Sequence, residues 1–228
     1  MKFTERINRI ITLGFYDRLI TPMPHAMVSH LVAAGNPGKY QEVSALNYPL
    51  PPEIDFDGRV YNTRDALTYT VSGSSMSPED VHNGDELIVY PCDIEDVQIG
   101  DYIIIEVDRA YFMHKHHTEP VFQYKLRKAL VPVPVGRNTE DTETLLLNDL
   151  TTIYDELLLD EYRLELKEDL LDALRFYGDL PLFASITYKE GKIHYSFHPQ
   201  SAIKYRVVRI ARKNHRDVEL LRPDRTLN

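Results

Sequence analysis

The sequence predicts a mainly β fold: a compact, antiparallel β domain interrupted by an acidic helical insertion. Short apolar or alternating segments follow one another closely and are separated by turn residues, which is typical of antiparallel strands. One long segment rich in Leu, Asp and Glu breaks this series and has helical spacing. With 228 residues, 43% hydrophobic and 27% charged, the composition is that of a folded globular chain.

The predicted elements, in chain order, begin with a short N-terminal arm at 1–27, in which Pro22 and Pro24 end any helix. The main domain is predicted to span 28–228, with loop-like sequence from 28 to about 58. The predicted strands are 67–72, 85–90, 102–107, 121–130, 184–189, 192–197 and 203–211. The insertion, at about 134–182, is expected to form one or two acidic amphipathic helices that end at Gly178.

The composition also argues against several classes of function. The net charge of −9 argues against broad, non-specific DNA binding, and we expect no direct nucleic-acid contact. A lone cysteine, Cys92, excludes an internal disulfide and fits a reducing cytoplasm, where we expect it to be inert. We find no signal peptide and no apolar run near the roughly 20 residues that span a bilayer, so no membrane association is expected.

A serine and a lysine are the candidate catalytic residues. Ser75 lies in the small-residue turn Gly73-Ser74-Ser75-Met76, and Lys125 lies among apolar residues in VFQYKLRKAL. A lysine base needs a pKa of roughly 7–8 rather than about 10.4, a difference of ~4 kcal/mol that burial can supply. Gly73 lets the backbone approach a substrate, and the amide of Ser75 or a neighbour is a candidate oxyanion donor. These residues alone also fit an ordinary turn and a solvated strand lysine.

Five ordered motifs resemble the LexA and UmuD family of self-cleaving serine peptidases. They are Gly73-Ser74-Ser75-Met76, Gly84-Asp85, Gly100-Asp101 before YIIIEV, the segment LVAAGNP, and the closing IKYRVVRIARK. The resemblance covers about 28–131 and 200–213. It implies a LexA-like, signal-peptidase-like β fold, with Ser75 as nucleophile and a lysine as base.

The resemblance also implies roles for particular residues. The family is cut between Ala and Gly, which places the cleavage site at Ala34-Gly35. Phe122-Gln123-Tyr124-Lys125 fits the family pattern around the base, and Lys115 is the rival because its spacing from Ser75 is closer to the family's. If Lys125 is the base, 109–120 lengthens a hairpin. Neither a metal nor a cofactor is implied, although His114, His116 and His117 lie together.

The family further implies a homodimer, activation by a RecA-type filament on single-stranded DNA, and a role in the DNA-damage (SOS) response with a translesion polymerase as effector. Two departures leave alternatives open. The chain has no room for the helix-turn-helix domain of LexA and is closer in layout to UmuD, and the acidic insertion matches neither. The alternatives are a phage- or defence-related regulatory module without a DNA-binding half, and a non-catalytic protein-binding module of the same fold.

Overall fold

A computed structural model describes residues 29–33, 51–62, 65–118, 120, 123–152, 156–213 and 218–225. The predicted arm at 1–27 lies outside these residues. In this part of the chain the helices are α1 (Arg109–His116), α2 (Thr139–Thr151) and α3 (Glu156–Tyr177). The strands are β1 (Ser29–Ala33), β2 (Glu53–Phe56), β3 (Arg59–Asn62), β4 (Leu67–Ser72), β5 (Glu86–Pro91), β6 (Tyr102–Glu106), β7 (Tyr124–Pro132), β8 (Leu182–Lys189), β9 (Lys192–Pro199), β10 (Ile203–Lys213) and β11 (Val218–Leu221).

The mainly β character predicted from the sequence is confirmed, and each of the seven predicted strands is present within a few residues of its expected bounds. Two expectations were wrong. The segment from 28 to 58, expected to be loop, contains β1 and β2. The stretch 109–120, expected to lengthen a β-hairpin, contains α1. Asp108 caps the N-terminus of this helix, since its side chain accepts a hydrogen bond from the Tyr111 amide at 3.0 Å.

The main sheet closes on itself through its first strand. Its order is β1-β4-β5-β10-β6-β7-β8-β9, and β1 also pairs with β7, so six strands form a ring and β8 and β9 extend from it. β1 runs parallel to β4, with Ser29 opposite Thr68 and Ala33 opposite Ser72. At its end Ala33 is also opposite Lys125 of β7. The remaining pairings of the ring are antiparallel.

β5 is buried on both faces, which explains why its sequence is a continuous apolar run rather than an alternating one. Leu87 and Val89 face the main core inside the ring. Ile88 and Tyr90 face the opposite side, where they pack against Ile54 and Phe56 of the β2–β3 hairpin. The hairpin therefore covers the outside of the ring.

The insertion, predicted to form one or two helices, contains two, α2 and α3. In α2, Leu146 and Leu150 are buried, and in α3, Leu166 and Leu170 join the same core, which is continuous with that of the ring. α3 ends at Tyr177, and Gly178 follows with a positive φ, as predicted. None of the helices in the described ranges is long and apolar enough to cross a lipid bilayer.

Two Gly-Asp turns are held by arginines of one strand. Asp85 accepts a hydrogen bond from the His82 amide, and Asp101 accepts one from the Gln98 amide, each at 2.8 Å. Arg212 of β10 pairs with Asp85 at 2.9 Å, and Arg206 of β10 pairs with Asp101 at 2.8 Å. Both aspartates are almost fully buried, so these pairs connect the turns before β5 and β6 to β10, the strand that lies between them.

The two turn glycines provide a matched pair for a stability test. Gly84 and Gly100 have similar φ, +91° and +83°, so Ala costs roughly 1–2 kcal/mol of backbone strain at either position. At Gly84 an added Cβ meets open space, but at Gly100 it overlaps the backbone of Arg225. We expect Gly100→Ala to lower the free energy of unfolding by about 1–3 kcal/mol more than Gly84→Ala, measured by urea denaturation. Equal losses would contradict the packing of 218–225 on this turn.

Candidate active site around Ser75 and Lys125

Ser75 lies in a turn that the sheet and the core hold in place. Met76 is fully buried, and the Ser75 carbonyl accepts a hydrogen bond from the Tyr188 amide of β8 at 2.9 Å. The Gly73 amide donates to the Asn83 side chain at 3.0 Å, so in this conformation Gly73 supports the turn and its amide does not face a substrate. The Ser75 hydroxyl oxygen is buried and has no hydrogen-bond partner among the residues that the structure describes.

A buried ion pair supports the same turn. Glu79, at the end of the short 3₁₀ turn after Met76, pairs with Lys128 of β7, and both side chains are at most 1% exposed. Tyr188 donates to the Glu79 carboxylate, and Tyr102 donates to it at 3.2 Å. Glu79 therefore links the Ser75 turn to β6, β7 and β8. Because all these groups are buried, the loss of one partner leaves a costly unpaired charge.

Lys125 lies on the opposite face of β7 from Lys128, as the alternation of a strand requires. Its amine stands 4.6 Å from the centre of the Phe112 ring of α1. Burial, together with the smaller effect of the positive charges of Arg127 and Lys115, lowers the pKa of Lys125 to about 7. A substantial fraction of this amine is therefore neutral at physiological pH, which a general base requires.

Ser75 and Lys125 line one cavity of about 790 Å³. Its walls come from the Ser75 turn, from β6 and β7, from α1, and from the β8–β9 hairpin. His198 also lines it, and burial holds the pKa of His198 well below its usual range, so its imidazole is neutral. The structure thus brings the two predicted catalytic side chains to the same enclosed space.

The backbone of β1 leads toward this cavity. Ala33, its last residue, is opposite Ser72, three residues before Ser75, and opposite Lys125. The predicted cleavage site at Ala34-Gly35 itself lies outside the described residues. The strand before it nevertheless ends between the two elements that carry the candidate dyad.

Lys115, the rival base, is in a different environment. It lies on α1, where its amine pairs with the Asp169 carboxylate of α3. The neighbouring histidines lie on or directly after α1 rather than on a strand: His114 contacts Asp172, and the His116 ring packs against Phe112 at a tilt. Near them Glu165, Asp169 and His194 lie within 4.8 Å of one another, but Glu165 already contacts His194 and Asp169 contacts Lys115.

Two further expectations concern residues outside the cavity. Burial raises the pKa of Cys92 to about 12, so its thiol stays protonated, as expected of an inert cysteine. In 206–225, acidic residues are interspersed among the basic ones, a pattern that predicts ordinary surface. This was wrong for Arg206, which is 3% exposed and pairs with Asp57 and Asp101.

No family model, curated protein or solved structure matches this chain. The likeness to the LexA and UmuD family therefore depends on the motifs quoted above.

Sequence reasoning missed three components of the site. β1 pairs in parallel with a distant strand, and its few residues carry no distinctive alternation. Glu79 and Lys128 are charged residues, and charged side chains are expected at the surface unless they are paired. For α1 the sequence offers one signal of a helix N-terminus. This is Asp108, which lies three residues before Tyr111 and caps its amide, as is typical of a helix start.

The buried Glu79–Lys128 pair generates a prediction about stability. Lys128→Met leaves the Glu79 charge buried without its cation and is expected to lower the free energy of unfolding by about 3–5 kcal/mol. The double variant Glu79→Gln, Lys128→Met removes both charges and retains acceptors and donors for the tyrosines, so it should recover part of that loss. Urea denaturation measures both. A double variant no more stable than Lys128→Met would contradict a compensated pair.

Proposed function

We propose that this protein is a self-cleaving serine endopeptidase with a Ser75–Lys125 dyad that cuts its own chain between Ala34 and Gly35. The observation that carries the proposal is the convergence of three elements at one cavity. Ser75 and Lys125 line it, and β1 ends with Ala33 in register with both Ser72 and Lys125. The motif order, with LVAAGNP before the serine turn, supports the same conclusion.

The proposed reaction uses only groups of this chain and water. Neutral Lys125 accepts the proton of the Ser75 hydroxyl as the oxygen attacks the carbonyl carbon of Ala34. The developing oxyanion is stabilised by backbone amides at the Ser75 turn, with the Ser75 amide as the first candidate. The Lys125 ammonium then protonates the leaving Gly35 nitrogen, and the C–N bond breaks. Water, deprotonated by the same lysine, hydrolyses the resulting acyl-enzyme and restores Ser75.

The environment of Lys125 favours this role over Lys115. The amine of Lys125 has a pKa of about 7, set first by burial, whereas Lys115 is held by a carboxylate. Cleavage after Ala34 would leave β1, the strand that closes the ring, without its covalent link to β4 and β7, the strands with which it pairs.

The biological setting is carried by the family resemblance alone. On that basis we extend the proposal to a cytoplasmic homodimer that is activated by a RecA-type filament and serves a polymerase or another effector in the DNA-damage response. A regulatory module with the same chemistry would differ only in its effector.

The proposal predicts how self-cleavage depends on pH and on the dyad. The cleavage rate should rise with pH through a midpoint near 7 and then level off, because the neutral form of Lys125 is the active one. Ser75→Ala should abolish cleavage, and Lys125→Met should slow it by about 10²–10⁴-fold, the usual contribution of a general base. Intact mass spectrometry over time, from pH 5 to 10, measures the rate and locates the cut.

Lys115→Met is the matched control, because it removes a lysine of the same cavity and should retain cleavage. A protein that stays intact at every pH, with and without a RecA filament on single-stranded DNA, would refute the peptidase. Cleavage that survives Lys125→Met but is lost in Lys115→Met would reassign the base.

A further inference from the structure

The inserted helices contact the cavity through α1, which lies in the connection between β6 and β7. α1 presents Phe112 to the Lys125 amine, and Lys115 and His116 of the same helix also line the cavity. This helix therefore covers the Lys125 amine on that side of the cavity. The charged and titratable groups that line the cavity with Lys125 include Arg127 on β7, Lys115 and His116 on α1, and Lys189, His194 and His198 on the β8–β9 hairpin. Asp108 and Glu190 are its carboxylates, and Tyr111, Tyr177 and Tyr188 also line it.

α1 is too short to hold this position unaided. It has eight residues, of which Tyr111 alone is buried, and isolated helices of that length are marginal in water. A cover made of such a helix needs a docking partner if it is to exclude water from the Lys125 amine.

α3 supplies that partner. Asp172 accepts a hydrogen bond from the Tyr111 hydroxyl at 3.3 Å and lies 3.3 Å from the His114 imidazole, while Asp169 pairs with Lys115. The Tyr111 ring packs between Phe176 and Tyr177, with ring centres 5.0 Å and 4.8 Å away. The contacts combine opposite charges with an aromatic cluster, and all of them come from the last three turns of α3.

We propose that the acidic insertion acts on the dyad by docking α1 over Lys125, with Asp172 and Phe176 as positioning residues. This rests on the proposed function, and it assigns a role to the acidic insertion, which matches neither LexA nor UmuD. The two residues act through Tyr111 and His114 and do not touch the reacting atoms.

The direction in which the pKa of Lys125 shifts distinguishes the docking of α1 from a purely electrostatic effect of Asp172. Removal of the Asp172 charge alone would lower the pKa of Lys125, because a nearby carboxylate favours the ammonium. Release of α1 would admit water and raise it, because burial is the largest cause of the depressed pKa. An upward shift therefore reports undocking.

The experiment measures Lys125 directly in a Ser75→Ala background, so that no cleavage is required. Competitive acetylation with trace acetic anhydride across pH, followed by peptide mass spectrometry, gives the apparent pKa of Lys125. We expect the double variant Asp172→Ala, Phe176→Ala to raise it by at least about one unit, since full burial shifts a lysine by up to 3–5 units. Glu168→Ala, which removes an exposed carboxylate from the same helix, should leave it unchanged.

Two results together test the inference and keep it distinct from the peptidase proposal. In chains that retain Ser75, the double variant should move the pH midpoint of cleavage upward and leave the plateau rate at high pH within about two-fold, because the neutral amine is still the base. A raised pKa in a chain that never cleaves would support docking and refute the peptidase. An unchanged or lowered pKa, in this variant or in Asp172→Asn with Phe176→Leu if the first does not fold, would overturn the inference.

Discussion

The register of β1 is the constraint on which the candidate site depends. Ala33 is paired on one side with Ser72 and on the other with Lys125, so a single strand closes the six-stranded ring and ends between the two catalytic candidates. A shift by one residue would turn every side chain of the strand to the other face and move its end along β4 and β7. In the proposed reaction, the hydrogen bonds that close the ring would therefore also determine which peptide bond reaches the cavity.

The rest of the structure maintains the two conditions that a serine–lysine pair needs, a fixed hydroxyl and a neutral amine. The Ser75 turn is held by the buried Met76, by the Tyr188 amide and by the Glu79–Lys128 pair. The Lys125 amine lies in the wall of the cavity beside the Phe112 ring of α1. β7 carries both lysines on opposite faces: Lys128 pairs in the interior to fix the turn, while Lys125 is left with a pKa of about 7 by burial.

The sequence was sufficient to predict the strands of the ring whose residue pattern is local, such as β4 and β5. It was also sufficient for α2 and α3, because the leucine spacing marks their buried faces and Gly178 marks the end of α3. The sequence was insufficient where pairing between distant segments of the chain determines the local structure. β1 becomes a strand only because the edges of β4 and β7 are available to it. The sequence around Phe112 and Lys115 fits either a strand or a helix. The helix α1 is favoured by its packing against Tyr177, which lies in a distant segment of the chain. The burial of Lys128 depends on its ion pair with Glu79, which is distant in the sequence. No residue spacing predicts such a pair.

A crystal structure of the Lys125→Met variant, which retains the Ser75 hydroxyl but lacks the base, tests the central claim most directly. The quantity to measure is the distance from the Ser75 hydroxyl oxygen to the carbonyl carbon of Ala34. The account predicts about 3–3.5 Å, the separation of a near-attack geometry, with Ala33 still in register with Ser72. An Ala34–Gly35 bond that lies away from the cavity, at a distance that no rotation of the Ser75 side chain bridges, would contradict it.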